Sequence, residues 1–156
     1  MLRRPPRQQY GALCYRRKKK TGEVEVLLLT SRDTGRWVIP KGWPMQGKKA
    51  HAVAAREAYE EAGVRGHALK QPFGYFHYEK KLRNGVTVTC LVQVHLLEVE
   101  ELLRDFPERE SRTLEWVSPE VAGERVNEPE LKALFLAFSR KMAQLQQPVA
   151  QKAANF

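Results

Sequence analysis

The chain has 156 residues, 42% of them hydrophobic, with a formal net charge of +9 and a pI of about 9.8. That length fits one domain able to bury a core without disulfides or structural metals, and that hydrophobic fraction excludes wholesale disorder. The positive field attracts polyanions, whether nucleic acid, an acidic membrane surface or a small phosphorylated ligand, and charge alone does not choose among them. Cys14 and Cys90 lie far apart in apolar runs with no CxxC neighbour. They point to buried thiols in a reducing, cytoplasmic setting and away from zinc. No apolar run is long enough to span a bilayer, so no membrane partner is expected.

In chain order, residues 1–8 are basic and Pro-containing and read as a flexible arm ahead of a single domain over 9–146, with 147–156 a frayed tail. Residues 10–15 read as a short buried strand. Residues 16–20, all Arg or Lys, form a basic loop that turns at Gly22 into a strand over 23–30. Residues 31–35 have turn composition, 36–39 form a short strand stopped by Pro40, and 41–47 are irregular backbone. The Ala- and Glu-rich stretch 49–62 predicts a helix, with Gly63 as its left-handed C-terminal cap.

Residues 67–81 read as strand bent at Gly74, Asn84-Gly85 as a hairpin turn, and 86–99 as the central strand. A charged loop over 100–109 leads to a strand over 112–117. Ser118 and Pro119 have the pattern of a helix start. Residues 128–145 predict a second long helix whose stripe of Leu131, Leu134, Phe135, Phe138 and Met142 is core. Clustered strands with one helix between them and one at the end predict an α/β fold, a mixed sheet covered by helices.

On the first helix Glu57, Glu60 and Glu61 are related as i, i+3 and i+4 and share a face. Like charges at this spacing oppose helix formation by roughly 0.2–0.5 kcal/mol per pair, and they lie at the end where the dipole disfavours anions. Arg56 can pair with Glu60 but cannot neutralise three carboxylates; a hard divalent cation can. By helical angle the three continue the stripe of Ala50, Val53 and Ala54, with Ala55, Ala58 and Ala62 on the opposing side. At the other end Lys48 and Lys49 oppose the dipole and no Ser, Thr, Asp or Asn caps the helix, which an anionic ligand would relieve.

The stretch 42–64 resembles the Nudix hydrolase pattern G-x5-E-x7-R-E-U-x-E-E-x-G-U, where U is apolar. Gly42 opens it, and Arg56-Glu57-Ala58, Glu60-Glu61 and Gly63-Val64 close it at the right spacing. Lys48 stands where that pattern has its first glutamate. The segments 30–42 and 112–116 are similar to the branch that hydrolyses diphosphoinositol polyphosphates and diadenosine polyphosphates. The resemblance implies an α/β/α sandwich around a mixed β-sheet, and Mg²⁺ or Mn²⁺ held by Glu57, Glu61 and the Gly42 carbonyl. It implies Glu60 as proton acceptor or further ligand, and a polyphosphorylated small-molecule substrate.

Ser31, Arg32, Arg36, Lys41, Lys48 and Arg112 are the expected phosphate contacts. In the family the first glutamate commonly pairs with the arginine matching Arg56 and braces the loop; with Lys48 there, either Lys48 is an additional phosphate contact and another acid braces Arg56, or the loop is looser and activity is weak, and the first is favoured. The alternative is a catalytically weak Nudix-fold module binding RNA or a nucleotide; RNA is the less favoured partner, because the basic segments allow it but an aromatic RNA-binding signature is missing.

Overall fold

The computed structural model describes residues 4–145. Eleven elements follow in order: β1 (Arg7–Arg17), β2 (Val24–Thr30), β3 (Trp37–Val38), β4 (Lys41–Gly42), α1 (Ala50–Ala62), β5 (Val64–Ala68), β6 (Gly74–Lys81), β7 (Thr87–Leu102), β8 (Leu114–Val117), α2 (Pro119–Arg125) and α3 (Pro129–Leu145). All eight strands join one mixed sheet, with β3-β2-β1-β7-β5 as its spine. β1 and β7 run parallel from Arg7↔Cys90 to Tyr15↔Glu98, and the other pairings are antiparallel.

Period-2 alternation assigns the two faces. Ala12, Cys14 and Leu27 face α1 with Ala54, Ala58 and Ala62. Leu13, Val26 and Leu28 face α3, in the larger cluster built on Phe76, Val92, Phe135 and Phe138. The result is the expected α/β/α sandwich. The α3 stripe is core as expected: Leu131, Phe135, Phe138 and Met142 are buried and Leu134 packs against them. Ser118 caps α2, accepting a hydrogen bond from Val121 N–H. Both cysteines are free and buried.

Several boundaries differ from the sequence expectation. β1 takes in Arg7 and Gln8, residues expected in the arm, and extends through Arg16 and Arg17 of the basic run. Arg16 is held there by Glu25, at 3.1 Å. The region read as one bent strand over 67–81 is two strands, β5 and β6, which pair consecutively with the same edge of β7. β7 runs on through Leu102 into the segment expected as loop. Residues 41–47 are not wholly irregular, because β4 pairs Tyr10↔Gly42 and Gly11↔Lys41.

That last pairing matters for the site. β1 and β2 pair only over Tyr15–Arg17 and Val24–Val26, then part. Residues 37–42 fill the opening: β3 pairs with β2, β4 with β1, and Ala12 N–H donates to Pro40 C=O at 3.0 Å. The splayed strands thus carry Lys41 and Gly42 to the end of α1 that holds its carboxylates. The expected tail over 147–156 lies outside the described residues.

Candidate active site

Helix α1 starts at Lys49, which provides no side-chain cap, and ends at Gly63 in the left-handed conformation (φ 68°). A Cβ at Gly63 would also come within 2.9 Å of the Phe106 ring and the Leu103 carbonyl, so glycine is required there twice over. The buried face of α1 consists of Val53, Ala54, Glu57, Ala58, Glu61 and Ala62. Two corrections follow. Ala58 and Ala62 share the face of Glu57 and Glu61 and do not oppose it. Glu60, one residue and about 100° round the helix from Glu61, turns off that face and pairs with Arg56 at 2.9 Å. Arg56 therefore has its brace, from Glu60, within the helix itself.

Glu57 and Glu61 are 8% and 3% exposed, which is unusual for ionisable groups. They line a cleft of about 370 Å³ whose wall includes Ser31, Arg32, Lys41, Gly42 and Trp43. A Cβ at Gly42 would lie within 2.8 Å of the whole Glu57 carboxylate, so the loop can close on that side chain only because residue 42 is glycine. Lys41 N–H donates to Glu61 at 3.4 Å. Arg112 lines the cleft beside Glu61: its guanidinium lies 3.4 Å from Glu61 and 2.9 Å from Glu108, and donates to the Thr30 carbonyl at 3.0 Å.

Burial raises the Glu57 carboxyl above the ordinary carboxylate range; the hydrogen bond from Glu61 opposes the rise and the charges of Glu60 and Glu108 add to it. Burial raises Glu61 further, and its contact with Glu57 adds to the rise despite Arg112 and Lys41. The two carboxyls therefore tend to share a proton, a state that a cation between them would replace. Burial lowers the Lys41 ammonium from its usual range while Glu61 pulls the other way. Lys41 also sits 4.7 Å above the Tyr78 ring, whose hydroxyl donates to Gln9.

Among the described residues no set of three or more His, Cys, Asp or Glu side chains is arranged for a metal. A hard cation such as Mg²⁺ needs only one or two carboxylates when substrate phosphates and water complete its shell. Glu57, Glu61 and the Gly42 carbonyl fit that donor set, and the absence of a Cβ at Gly42 leaves the carboxylate in place.

The structure sorts the expected phosphate contacts. Ser31, Arg32 and Lys41 line the cleft, with Arg32 positioned 3.5 Å from Glu108. Arg112 lines the cleft too, but it is only 10% exposed and its guanidinium is already engaged by Glu61, Glu108 and the Thr30 carbonyl. Arg36 lines a second cavity that adjoins the first. Lys48 is a correction: it lines a shallow surface depression with Arg56, Tyr59 and Arg65, on the side of α1 turned away from Glu57 and Glu61. The turn closed by Lys48 N–H on the Met45 carbonyl delivers it there.

Glu108, Gln9, Tyr78 and Lys80 also line the cleft and were not expected. For Glu108 the one available signal is its position four residues before Arg112 in an otherwise undistinguished charged loop.

This arrangement of buried paired carboxylates at the C-terminal end of a helix, closed by a glycine loop in a splayed mixed sheet, coincides with the model of the NUDIX domain, which matches residues 5–138. The chain belongs to that family. It is 33% identical over 144 residues to Nudix hydrolase 21, chloroplastic, of Arabidopsis thaliana, covering 90% of this chain and 70% of that protein. It is 34% identical over 119 residues to human diphosphoinositol polyphosphate phosphohydrolase 3-beta, covering 74% and 66%. The chain spans between 49% and 70% of the length of the plant relatives it matches. Its fold is similar to that in a crystal structure of a C. elegans Ap4A hydrolase binary complex, with a TM-score of 0.65 and 22% identity, covering 88% of this chain and 98% of that one.

Proposed function

We propose that this chain hydrolyses a phosphoanhydride bond in a polyphosphorylated small molecule with the help of a divalent cation. One observation carries the reading: Glu57 and Glu61 are buried together, with raised pKa values, at the floor of a cleft rimmed by cations. Such a pair is unfavourable unless a cation or a proton satisfies it. Glu57, Glu61 and the Gly42 carbonyl would hold Mg²⁺ or Mn²⁺, which when bound lowers the pKa of coordinated water and neutralises charge on phosphate oxygens.

The chain's own groups do the remaining work. Lys41, Arg32 and Ser31 bind and orient the phosphates, Lys41 from a half-buried position in the cleft wall. Arg112 fixes the Glu61 carboxylate through its three contacts. Glu60 is the proposed proton acceptor: its charge acts on Glu57, but it does not line the cleft in this structure, so accepting the proton of the attacking water requires it to swing out of its pair with Arg56.

The name of a relative supports diphosphoinositol polyphosphates as a substrate class; dinucleoside polyphosphates, named for a structural neighbour, and simpler nucleotides complete the candidates. The test is a panel of these compounds with Mg²⁺ and Mn²⁺ titrated separately. Release of phosphate, pyrophosphate or nucleotide from at least one compound is expected, and Glu60→Gln should slow it. No release from any compound with either metal would overturn the proposal.

A further inference from the structure

The two arginines of the carboxylate cleft are held by acids: Arg32 by Glu108, and Arg112 by Glu61 and Glu108. Lys41 is held differently. Among the described residues its ammonium pairs with no carboxylate at ion-pair distance, and it lies 4.7 Å above the centre of the Tyr78 ring. The ring is itself fixed. Tyr78 is on β6 and Gln9 on β1, with β7 between them, Tyr78 opposite Cys90 and Gln9 opposite Val92. The Tyr78 hydroxyl reaches over β7 and donates to Gln9 Oε1 at 2.6 Å, and Gln9 is only 2% exposed. Lys41 is paired with Gly11, two residues along β1 from Gln9 and on the same side of the sheet. Gly11 puts no side chain between Lys41 and the ring.

We propose that Tyr78, fixed by Gln9, is a positioning residue that aims the Lys41 ammonium at the phosphates of the substrate without neutralising it. This role rests on the proposed hydrolysis and deepens it. An acid in the place of the ring would hold Lys41 as firmly, but its charge would cancel the field of the ammonium and repel the incoming phosphate. An aromatic face attracts a cation through its quadrupole and carries no net charge. The ring therefore restricts where the ammonium sits and leaves its whole charge for the anion. Ordering Lys41 before the substrate arrives also removes a side-chain entropy cost from binding. With its hydroxyl spent on Gln9, Tyr78 acts through Lys41 and not on the phosphates.

The test is calorimetry without added metal, with inorganic triphosphate as the probe, on a double-mutant cycle of Lys41→Met and Tyr78→Leu. Tyr78→Leu should weaken binding about five- to tenfold, and Tyr78→Phe, which keeps the ring, should retain most of the affinity. In the Lys41→Met background Tyr78→Leu should change nothing further, a result that a merely structural role would not give. On the best substrate of the panel Tyr78→Leu should raise KM by a similar factor and leave kcat within about twofold. An equal loss in both backgrounds, unchanged triphosphate binding in Tyr78→Leu, a kcat that falls while KM stays, or a wild type that does not bind triphosphate would overturn the role of Tyr78. If substrate is cleaved and one of these results is found, the hydrolysis stands and the role of Tyr78 fails. If the cycle shows the coupling but no compound is cleaved, the role of Tyr78 towards an anion stands and the hydrolysis fails.

Discussion

Replacing Gly42 by alanine perturbs the Glu57–Glu61 pair proposed to hold the cation while leaving the sheet intact. The new Cβ would come within 2.8 Å of every atom of the Glu57 carboxylate, against ordinary contact from 3.4 Å. No backbone atom is among its three nearest neighbours, so the flexible end of Glu57 gives way and the main chain does not. The retreat is about 1 Å, enough to cost roughly 100-fold when it misplaces a catalytic group. The strain itself should stay near the low end of the roughly 1–3 kcal/mol typical of overpacking. The assay is steady-state hydrolysis of the best substrate across a Mg²⁺ titration, paired with urea denaturation. A fall in kcat of about 100-fold with a small change in stability is expected. Unchanged kcat and unchanged metal dependence would refute the placement of Glu57 against the Gly42 loop.

Four further outcomes follow from the same geometry. Glu61 has a folded pKa above its unfolded value, so the native state binds more protons between the two values and stability falls as pH rises through that window. Glu61→Gln should therefore be at least as stable as wild type at neutral pH in a chelator, while losing the thermal stabilisation that Mg²⁺ gives the wild type. Arg112→Ala leaves Glu61 and Glu108 without their buried partner, and urea denaturation should show a loss of about 3–5 kcal/mol. Phe138→Ala empties a fully buried site against Tyr15 and Phe73; it should cost about 3–5 kcal/mol and leave the metal dependence of the reaction unchanged.

Glu130 is held below the usual carboxylate range by its hydrogen bonds from His77. Its contribution is present above the unfolded carboxylate pKa and is lost as pH falls through the lower folded value. Comparing stability across acid pH, Glu130→Gln should flatten that part of the profile.

Alternation and helix periodicity made the main strands, both long helices and the Gly63 cap readable from the residues, because each depends on local pattern. β4 was not readable: it is two residues long and exists only because β1 and β2 part and leave a backbone edge to be paired. β5 was hidden by Gly66 and two polar positions, and it is held by β7 across a register shift at Arg65/Gly66.

The Glu57–Glu61 pair was visible as carboxylate spacing, but the turning aside of Glu60 was not. Alanine carries no polarity, so Ala58 and Ala62 could not show which side of α1 was buried. Cations near the glycine loop were equally visible. Which of them the loop carries into the cleft depends on the turn at Met45–Lys48, and that turn sends Lys48 to the far side. Glu108 takes its importance wholly from tertiary placement.

The metal-pair chemistry is tested most directly by one comparison: product release by wild type and Glu61→Gln at saturating Mg²⁺, followed by phosphorus NMR on the best substrate of the panel. A loss of at least about 100-fold in the variant is expected, with wild-type turnover abolished by a chelator. Equal rates in the two proteins, or wild-type turnover that survives the chelator, would contradict it.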